Sequence, residues 1–216
     1  MKTASKLIMV ILIFCSLTGM SQRERLKHNK FNIALVFSPD ISISKSKTTM
    51  NAGGFTVHDI QQKPFNFSTG LIGYLTIKRK YEIGTGIIYS SKDIVGTWSC
   101  NYCDQATAPQ PELVKLRYIE IPVLARYHLS ISKLDLFVEP GLTSSLLTNE
   151  PIRYGTLPIN KFLLSGQFGL GINIDLGKRI NLTGTTMYRH SLTDSFINAD
   201  FRFQSIGLVT GIIYKL

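Results

Sequence analysis

Two cysteines, Cys100 and Cys103, are the pair in this sequence with the clearest capacity for chemistry. A CxxC pair can be a redox centre, but a thioredoxin-like site needs a following helix in a βαβ context, and no helical period follows here. A structural zinc site needs a second pair of ligands at a matching spacing. We therefore predict a disulfide between the two cysteines, and no metal or other cofactor.

His190 and Ser191 form the pair from which a hydrolase acting on lipid A could be built. A nucleophile, its base and an orienting acid must lie within hydrogen-bond reach of one another. Adjacent strand residues point to opposite faces, so this pair is poorly arranged for that contact. Glu120 and Glu139 could share acid–base work, but nothing in the sequence places a substrate beside them. We expect a protein without catalytic activity, and a lipid A hydrolase is the alternative.

Residues 1–21 have the three parts of a signal peptide. Lys2 and Lys6 precede an apolar run over 7–17, and Gly19-Met20-Ser21 gives a small-x-small cleavage signal. The apolar run is too short to span a bilayer. Cleavage after Ser21 leaves a basic tail over 22–30 and one domain over 31–216, which folds in an oxidising compartment outside the cytoplasm.

In the 216-residue sequence, apolar residues alternate with small or polar residues at period two through most of the part that follows residue 21, which predicts β-strands. Between 162 and 176, one parity is almost entirely bulky and apolar, while the other carries Gly, Ser, Gln, Asn and Asp. Eight segments follow this pattern, at 31–44, 65–77, 81–90, 113–128, 134–147, 162–176, 180–190 and 205–216. Most of them are long enough to cross hydrocarbon as tilted strands.

Short turns and long polar connections alternate strictly between these eight segments. The short turns lie at 79–80, 129–133 and 177–179, whereas the connections at 45–62, 92–112, 148–160 and 191–200 are long. An even number of strands with short turns at one end and long loops at the other predicts an all-β, eight-stranded antiparallel transmembrane β-barrel in the outer membrane. A soluble, periplasmic lipocalin-like binding barrel is the rival, but its outer face would be richly charged. Pro122 and Pro140 remove ladder donors, so we predict bulges or rim positions for both.

The string Arg117–Tyr127, RYIEIPVLARY, resembles the Y-ϕ-E-ϕ-P strand of PorT-like outer-membrane β-barrels. The strings Phe137–Gly141 and Tyr188–Asp194 are similar to later segments of that family. The resemblance implies an integral outer-membrane protein. Because one member of that family serves type IX secretion, it also implies partners among secretion-machinery or periplasmic proteins.

The sequence has a formal net charge of +10, and the positions of the charges indicate the partner. Basic residues concentrate at the short-turn end, in a basic rim that we predict to face the periplasm: Lys78, Arg79, Lys80, Lys133, Lys178 and Arg179. Such a rim suits the phosphates of outer-membrane lipids. A groove for nucleic acid would interleave these charges with stacking aromatics, so we exclude nucleic acid as a partner.

Charged residues of the inward parity need partners inside the barrel. We predict a structural network of salt bridges and hydrogen bonds among Glu82, Glu120, Arg126, Asp135, Glu139 and Arg189. Within it, the turn at 129–133 could set Arg126 opposite Asp135, and the turn at 79–80 could set Lys78 opposite Glu82.

Overall fold

The computed structural model describes residues 31–44, 48–52, 55–78, 80–100, 110–129, 135–149, 159–197 and 199–216. The predicted signal peptide and the basic tail over 22–30 lie outside these ranges. The described part of the chain contains no helix that could span a membrane. Its regular structure consists of twelve β-strands.

Eight of the strands close into one antiparallel barrel, which confirms the predicted fold. They are β1 (Phe31–Ser42), β4 (Phe65–Lys78), β5 (Tyr81–Ser91), β8 (Arg117–His128), β9 (Asp135–Leu147), β10 (Phe162–Asp175), β11 (Ile180–Ser191) and β12 (Gln204–Lys215). Going round the barrel, the order is β1-β12-β11-β10-β9-β8-β5-β4. Both chain ends of the barrel and the turns after β4, β8 and β10 lie at one end, and the four long connections lie at the other.

Four further strands occupy two of the long connections, where the sequence predicted polar loops. They are β2 (Thr48–Ala52), β3 (Phe55–Gln62), β6 (Ile94–Cys100) and β7 (Gln110–Val114), and they form a separate sheet in the order β2-β3-β6-β7. The predicted strand at 113–128 is therefore divided: its first residues belong to β7, and the barrel strand β8 begins at Arg117.

The barrel wall has an apolar outside. In β5, for example, Tyr81, Ile83, Ile87 and Tyr89 are exposed, whereas Gly84, Ile88 and Ser90 between them are buried. The outward residues of β1 run from Phe31 to Ile41, and ten steps of about 3.3 Å tilted by about 40° span about 25 Å. That height matches the apolar band of outer-membrane barrels, and a soluble barrel would bury these side chains instead.

Neither Pro122 nor Pro140 produces a bulge, so that prediction is wrong. The pairing of β8 with β5 stops beside Pro122 and resumes in the same register, from Thr85↔Val123 to Ile88↔Glu120. Pro140 lies in the middle of β9 opposite Phe168. Because the register is unbroken, the alternation of faces continues along both strands.

A charge placed on the apolar belt tests what surrounds it. Leu170 lies on the outer face in the middle of β10 and is 57% exposed. In hydrocarbon, Leu170→Lys should lower the free energy of unfolding by about 2–4 kcal/mol. The protein is reconstituted in vesicles and unfolded in urea. The folded fraction at each urea concentration is measured from its migration in electrophoresis without heating.

Leu192→Lys is the matched control, because Leu192 is 48% exposed but follows the last residue of β11. It should change the unfolding free energy by less than about 0.5 kcal/mol. Equal and small effects at both positions would contradict a lipid-facing belt.

Candidate functional site

Arg126 is the centre of a charged cluster inside the barrel. Its side chain projects inward from β8 and is almost completely buried. Its Nε donates to Glu139 Oε2 over 2.8 Å, its Nη2 lies 2.7 Å from the same oxygen, and Nη2 also donates to Tyr74 Oη over 2.9 Å. Tyr74 Oη in turn donates to Glu139 Oε2 over 3.2 Å. Glu139 thus neutralises the buried guanidinium, and Tyr74 bonds to both groups.

Two aromatic rings hold the Arg126 guanidinium between them. Its central carbon lies 4.1 Å from the ring centroid of Tyr74 and 4.0 Å from that of Phe137, which is cation–π geometry on both faces. Each ring lies against a glycine on the neighbouring strand, Tyr74 opposite Gly84 and Phe137 opposite Gly171. An added Cβ at Gly84 would stand 2.6 Å from the Tyr74 ring, so this glycine provides the space for the ring.

A second polar cluster closes the barrel at the short-turn end. His128 Nδ1 lies 2.7 Å from Asp135 Oδ1, and His128 Nε2 lies 3.3 Å from Glu82 Oε2. Glu82 also accepts a hydrogen bond from Thr76 Oγ1 over 3.0 Å, and Asp135 accepts one from Asn173 Nδ2 over 2.8 Å. Both ring nitrogens of His128 therefore face carboxylate oxygens, an arrangement that an imidazolium satisfies.

The pairings suggested by the two turns are wrong. The register of β8 with β9 sets Arg126 across from Glu139, and Asp135 pairs with His128 instead. Lys78 stands opposite Tyr81, because a register shift between Thr76 and Lys78 displaces it from Glu82.

A third cluster lies nearer the long-loop end. Lys92 Nζ reaches Glu120 Oε1 at 2.7 Å, and Ser90 Oγ donates to the same oxygen over 2.8 Å. Arg189 Nη1 donates to both carboxylate oxygens of Asp40, over 2.7 and 2.8 Å. The carboxylates Glu120 and Glu139, considered for acid–base work, are thus each paired with a different cation.

The four long connections fold together over the barrel mouth, and we call their described residues the cap. The cap and the barrel mouth share one buried apolar cluster: Val57, Ile60, Ile94, Val114, Leu116, Tyr118, Ile159, Leu163, Phe196, Phe201 and Phe203. Tyr118 and Leu163 are inward-facing residues at the ends of barrel strands, so the cluster continues the barrel interior. Outside this cluster, Arg202 Nε donates to Asp194 over 2.9 Å, and this hydrogen bond holds the pKa of the exposed Asp194 carboxyl below its usual value.

Between these clusters the lumen encloses a cavity of only about 20 Å³, lined by residues that include Ile72, Leu124, Met187 and Val209. A volume of that size holds about one water molecule. This cavity is too small for an organic substrate or for a continuous water-filled channel. The His, Cys, Asp and Glu residues in the described part of the chain include no group of three placed to hold a metal ion.

The described members of the basic rim are exposed at the short-turn end: Lys78, Lys80, Lys178 and Arg179. Arg179 Nη1 donates to Tyr214 Oη over 3.2 Å, and the neighbouring Lys215 Nζ pairs with Asp175 at 2.8 Å. The parity of β10 predicts that Asp175 points into the lumen, but its side chain is 72% exposed and lies at the rim. Arg79 and Lys133 lie outside the described residues.

The remaining candidates for chemistry are separated or undescribed. Ser191 is buried, with its Oγ 3.3 Å from Ser165 Oγ, while His190 belongs to the opposite parity of β11. This geometry does not support a His–Ser pair. Cys103 and the side chain of Cys100 lie outside the described residues, so the disulfide stays a prediction.

Sequence reasoning missed Tyr74, Phe137, Lys92 and Asp40 as members of these clusters. Tyr74 and Phe137 are large aromatics on the inward parity, each opposite a glycine, and this juxtaposition is a signal that becomes readable once the strand register is known. Lys92 follows the last residue of β5, where parity no longer indicates direction.

Comparison with known proteins bears on the family and the fold. Residues 20–197 match the family described as outer membrane protein beta-barrel domain. The crystal structure of the outer membrane protein OprG from Pseudomonas aeruginosa is similar, at 12% identity and a TM-score of 0.56, over 88% of this chain and 97% of that chain. The solid-state NMR structure of the outer membrane protein AlkL in lipid bilayers has 12% identity and a TM-score of 0.49, over 91% and 94%. A comparison with curated proteins gave no match.

Removing one partner of the Arg126–Glu139 pair should destabilise the barrel strongly. Arg126→Met leaves the Glu139 carboxylate buried without a cation, and we expect a loss of about 3–5 kcal/mol in the free energy of unfolding. The double variant Arg126→Met with Glu139→Leu removes both charges and should recover most of that loss. The free energies of unfolding of the wild-type protein, the single variant and the double variant are measured by urea unfolding in vesicles.

The exposed pair Asp175–Lys215 provides the control for this experiment. Asp175→Asn removes an ion pair of similar length at the surface, and the expected change is below about 1 kcal/mol. Two results would contradict a cluster that depends on charge pairing. One is an Arg126→Met variant that loses no more unfolding free energy than Asp175→Asn, and the other is a double variant that is as unstable as Arg126→Met alone.

Proposed function

This chain belongs to the outer membrane protein beta-barrel domain family, and from that premise we propose that it acts as a closed, non-enzymatic scaffold of the outer membrane. Its barrel anchors two exposed surfaces, one at each end, rather than enclosing a transport path or a catalytic site. The cap is one of these surfaces, and the basic rim is the other. We assign the cap to the cell exterior and the rim to the periplasm, because short turns of such barrels face the periplasm.

The observation that carries this proposal is the filled lumen. The Arg126 cluster, the His128 cluster and the apolar cluster beneath the cap lie at successive levels of the barrel, and the cavity between them is about 20 Å³. Eight strands enclose only enough space for their own side chains or one small ligand. A protein with such an interior works through what it presents on its outside.

The cap is built as a stable surface. Its sheet and loops share a buried core, and backbone hydrogen bonds join them to the barrel, such as Ile43 N to Gln204 O at 3.1 Å and Ser42 N to Pro64 O at 2.9 Å. Asn160 Nδ2 donates to Asp194 O over 2.7 Å and so connects two of the long connections. A surface of this kind suits docking of another envelope protein better than admission of a solute.

The resemblance of the Arg117–Tyr127 strand to PorT-like barrels makes type IX protein secretion the first assembly to test. We propose an accessory role there, in which the barrel holds secretion-machinery or periplasmic proteins at the membrane. The presence of the cap and of a separate rim on one rigid barrel supports a bridging role of this kind.

The reconstituted protein should conduct no ions. In planar bilayers we expect no stepwise conductance at moderate voltage, because the lumen cavity between the charged clusters, about 20 Å³, is too small for a path of hydrated ions. An open porin reconstituted in parallel serves as the positive control. Regular conductance steps that scale with the amount of protein would overturn the closed-scaffold proposal.

Crosslinking in intact envelopes should identify the protein that the scaffold holds. We expect photo-crosslinkers at the cap position Leu113, which is 41% exposed, to capture a specific envelope protein. The lipid-facing position Leu170 is the control and should capture none. Recovery of type IX components would support the secretion role, whereas a specific capture of unrelated proteins would reject that role and keep the scaffold.

A further inference from the structure

The two ends of the barrel differ in how their charges are balanced. At the short-turn end, the described charges outside the Arg126–Glu139 pair and His128 are five basic residues, Lys78, Lys80, Lys178, Arg179 and Lys215, against the acidic residues Glu82, Asp135 and Asp175. At the long-loop end, six basic residues face six acidic ones: Lys63, Lys92, Lys115, Arg117, Lys161 and Arg202 against Asp59, Asp93, Glu112, Glu120, Asp194 and Asp200. The positive excess therefore belongs to one end of the barrel.

The pairing of these charges differs as well. At the long-loop end, Lys63 and Arg117 pair with Asp93, Lys92 pairs with Glu120, and Arg202 pairs with Asp194. At the short-turn end, Lys215 pairs with Asp175, but the described part of the chain gives Lys78, Lys80, Lys178 and Arg179 no carboxylate partner. The rim cations are available to a ligand of opposite charge.

These cations lie at a defined depth beside lipid-facing aromatic rings. Tyr81 stands directly opposite Lys78, and Tyr214 stands opposite Ile180, the residue after Arg179. Tyr81, Tyr127 and Tyr214 lie on the outer face at this end, with Tyr81 and Tyr127 in ring contact at 5.0 Å between centroids. Outward tyrosines mark the boundary between hydrocarbon and headgroups, so Lys78 lies at this boundary, and Arg179, one residue further out, lies at the depth of the phosphates.

From these observations we infer that the rim binds the anionic phosphodiester headgroups of the inner leaflet, with Arg179 as the principal contact. The hydrogen bond from Arg179 Nη1 to Tyr214 Oη directs the guanidinium along the lipid-facing wall, and its other N–H donors remain available for phosphate oxygens. Lys178 adds a second positive charge beside it. This inference needs the barrel to span a membrane but not the scaffold role, and it fixes the depth and the identity of the lipid contacts.

Lipid selectivity of the full-length protein tests the inference. The protein is reconstituted in phosphatidylcholine vesicles, and spin-labelled phosphatidylglycerol and phosphatidylcholine report the fraction of lipid immobilised at the barrel. We expect about fivefold selection of phosphatidylglycerol at low salt, which should weaken in 1 M salt. The triple variant Lys78→Gln, Lys178→Gln, Arg179→Gln should reduce the selection to about onefold.

The matched control removes the same charge from the other end, as Lys63→Gln, Lys115→Gln, Arg202→Gln. It should keep the selectivity, because the rim is unchanged. Selectivity that survives in the rim variant, or that disappears equally in the control, would overturn the inference. Folding of each variant is verified by its migration in unheated electrophoresis. If the triple rim variant does not fold, Arg179→Gln alone replaces it and must lose at least about half of the selectivity.

Discussion

The constraint on which the whole structure depends is that hydrocarbon offers no hydrogen-bond partner to a peptide group. An open sheet in lipid would leave two rows of N–H and C=O groups unpaired, so β1 must close the ring by pairing with both β4 and β12. The same constraint reaches the side chains on the outer face. Thr69 and Thr210 face outward, and their hydroxyls donate to the carbonyl oxygens of Val36 and Phe37 at 3.0 and 3.2 Å, so these polar groups also find partners in the wall.

Closure with eight strands makes the interior narrow, and this narrowness explains the Arg126 cluster. A guanidinium there is removed from water, and its desolvation is offset only by close partners of good geometry. Glu139 supplies the charge, Tyr74 and Phe137 cover both faces, and Gly84 and Gly171 leave the space for those rings. Ile72, Leu124 and Val209 form an apolar layer between this cluster and the Lys92–Glu120 pair, and the cavity at that level, about 20 Å³, is also lined by Arg126, Glu139 and Glu120.

The sequence was sufficient to predict which side chains of the barrel strands face the lumen. It was not sufficient to predict which charged side chains pair with each other, or that the long connections form the cap. Parity is a local property, and the strands keep it even through Pro122, so the inward placement of Glu120 and Arg126 followed from alternation alone. Partners depend on register, and one turn shifted by a few residues replaces Asp135 with Glu139 as the partner of Arg126. The cap strands were missed because they are short and irregular. In β3 a register shift between His58 and Gln61, with Asp59 at a φ of 51°, places Val57 and Ile60 on one face at a spacing of three.

The difference between the two ends follows from the length of their connections. A long connection can fold back, bury Phe196 and Phe201 in a core, and bring Asp93 within reach of both Lys63 and Arg117. A short turn has neither the residues for a core nor the reach for a distant carboxylate, so its cations stay at the surface next to the aromatic belt. Mutual repulsion among such cations costs free energy that an anionic surface would relieve, and we propose that lipid phosphates at that depth provide this surface. The long-loop end balances its charges within the chain, whereas in our proposal the short-turn end leaves that balance to the membrane.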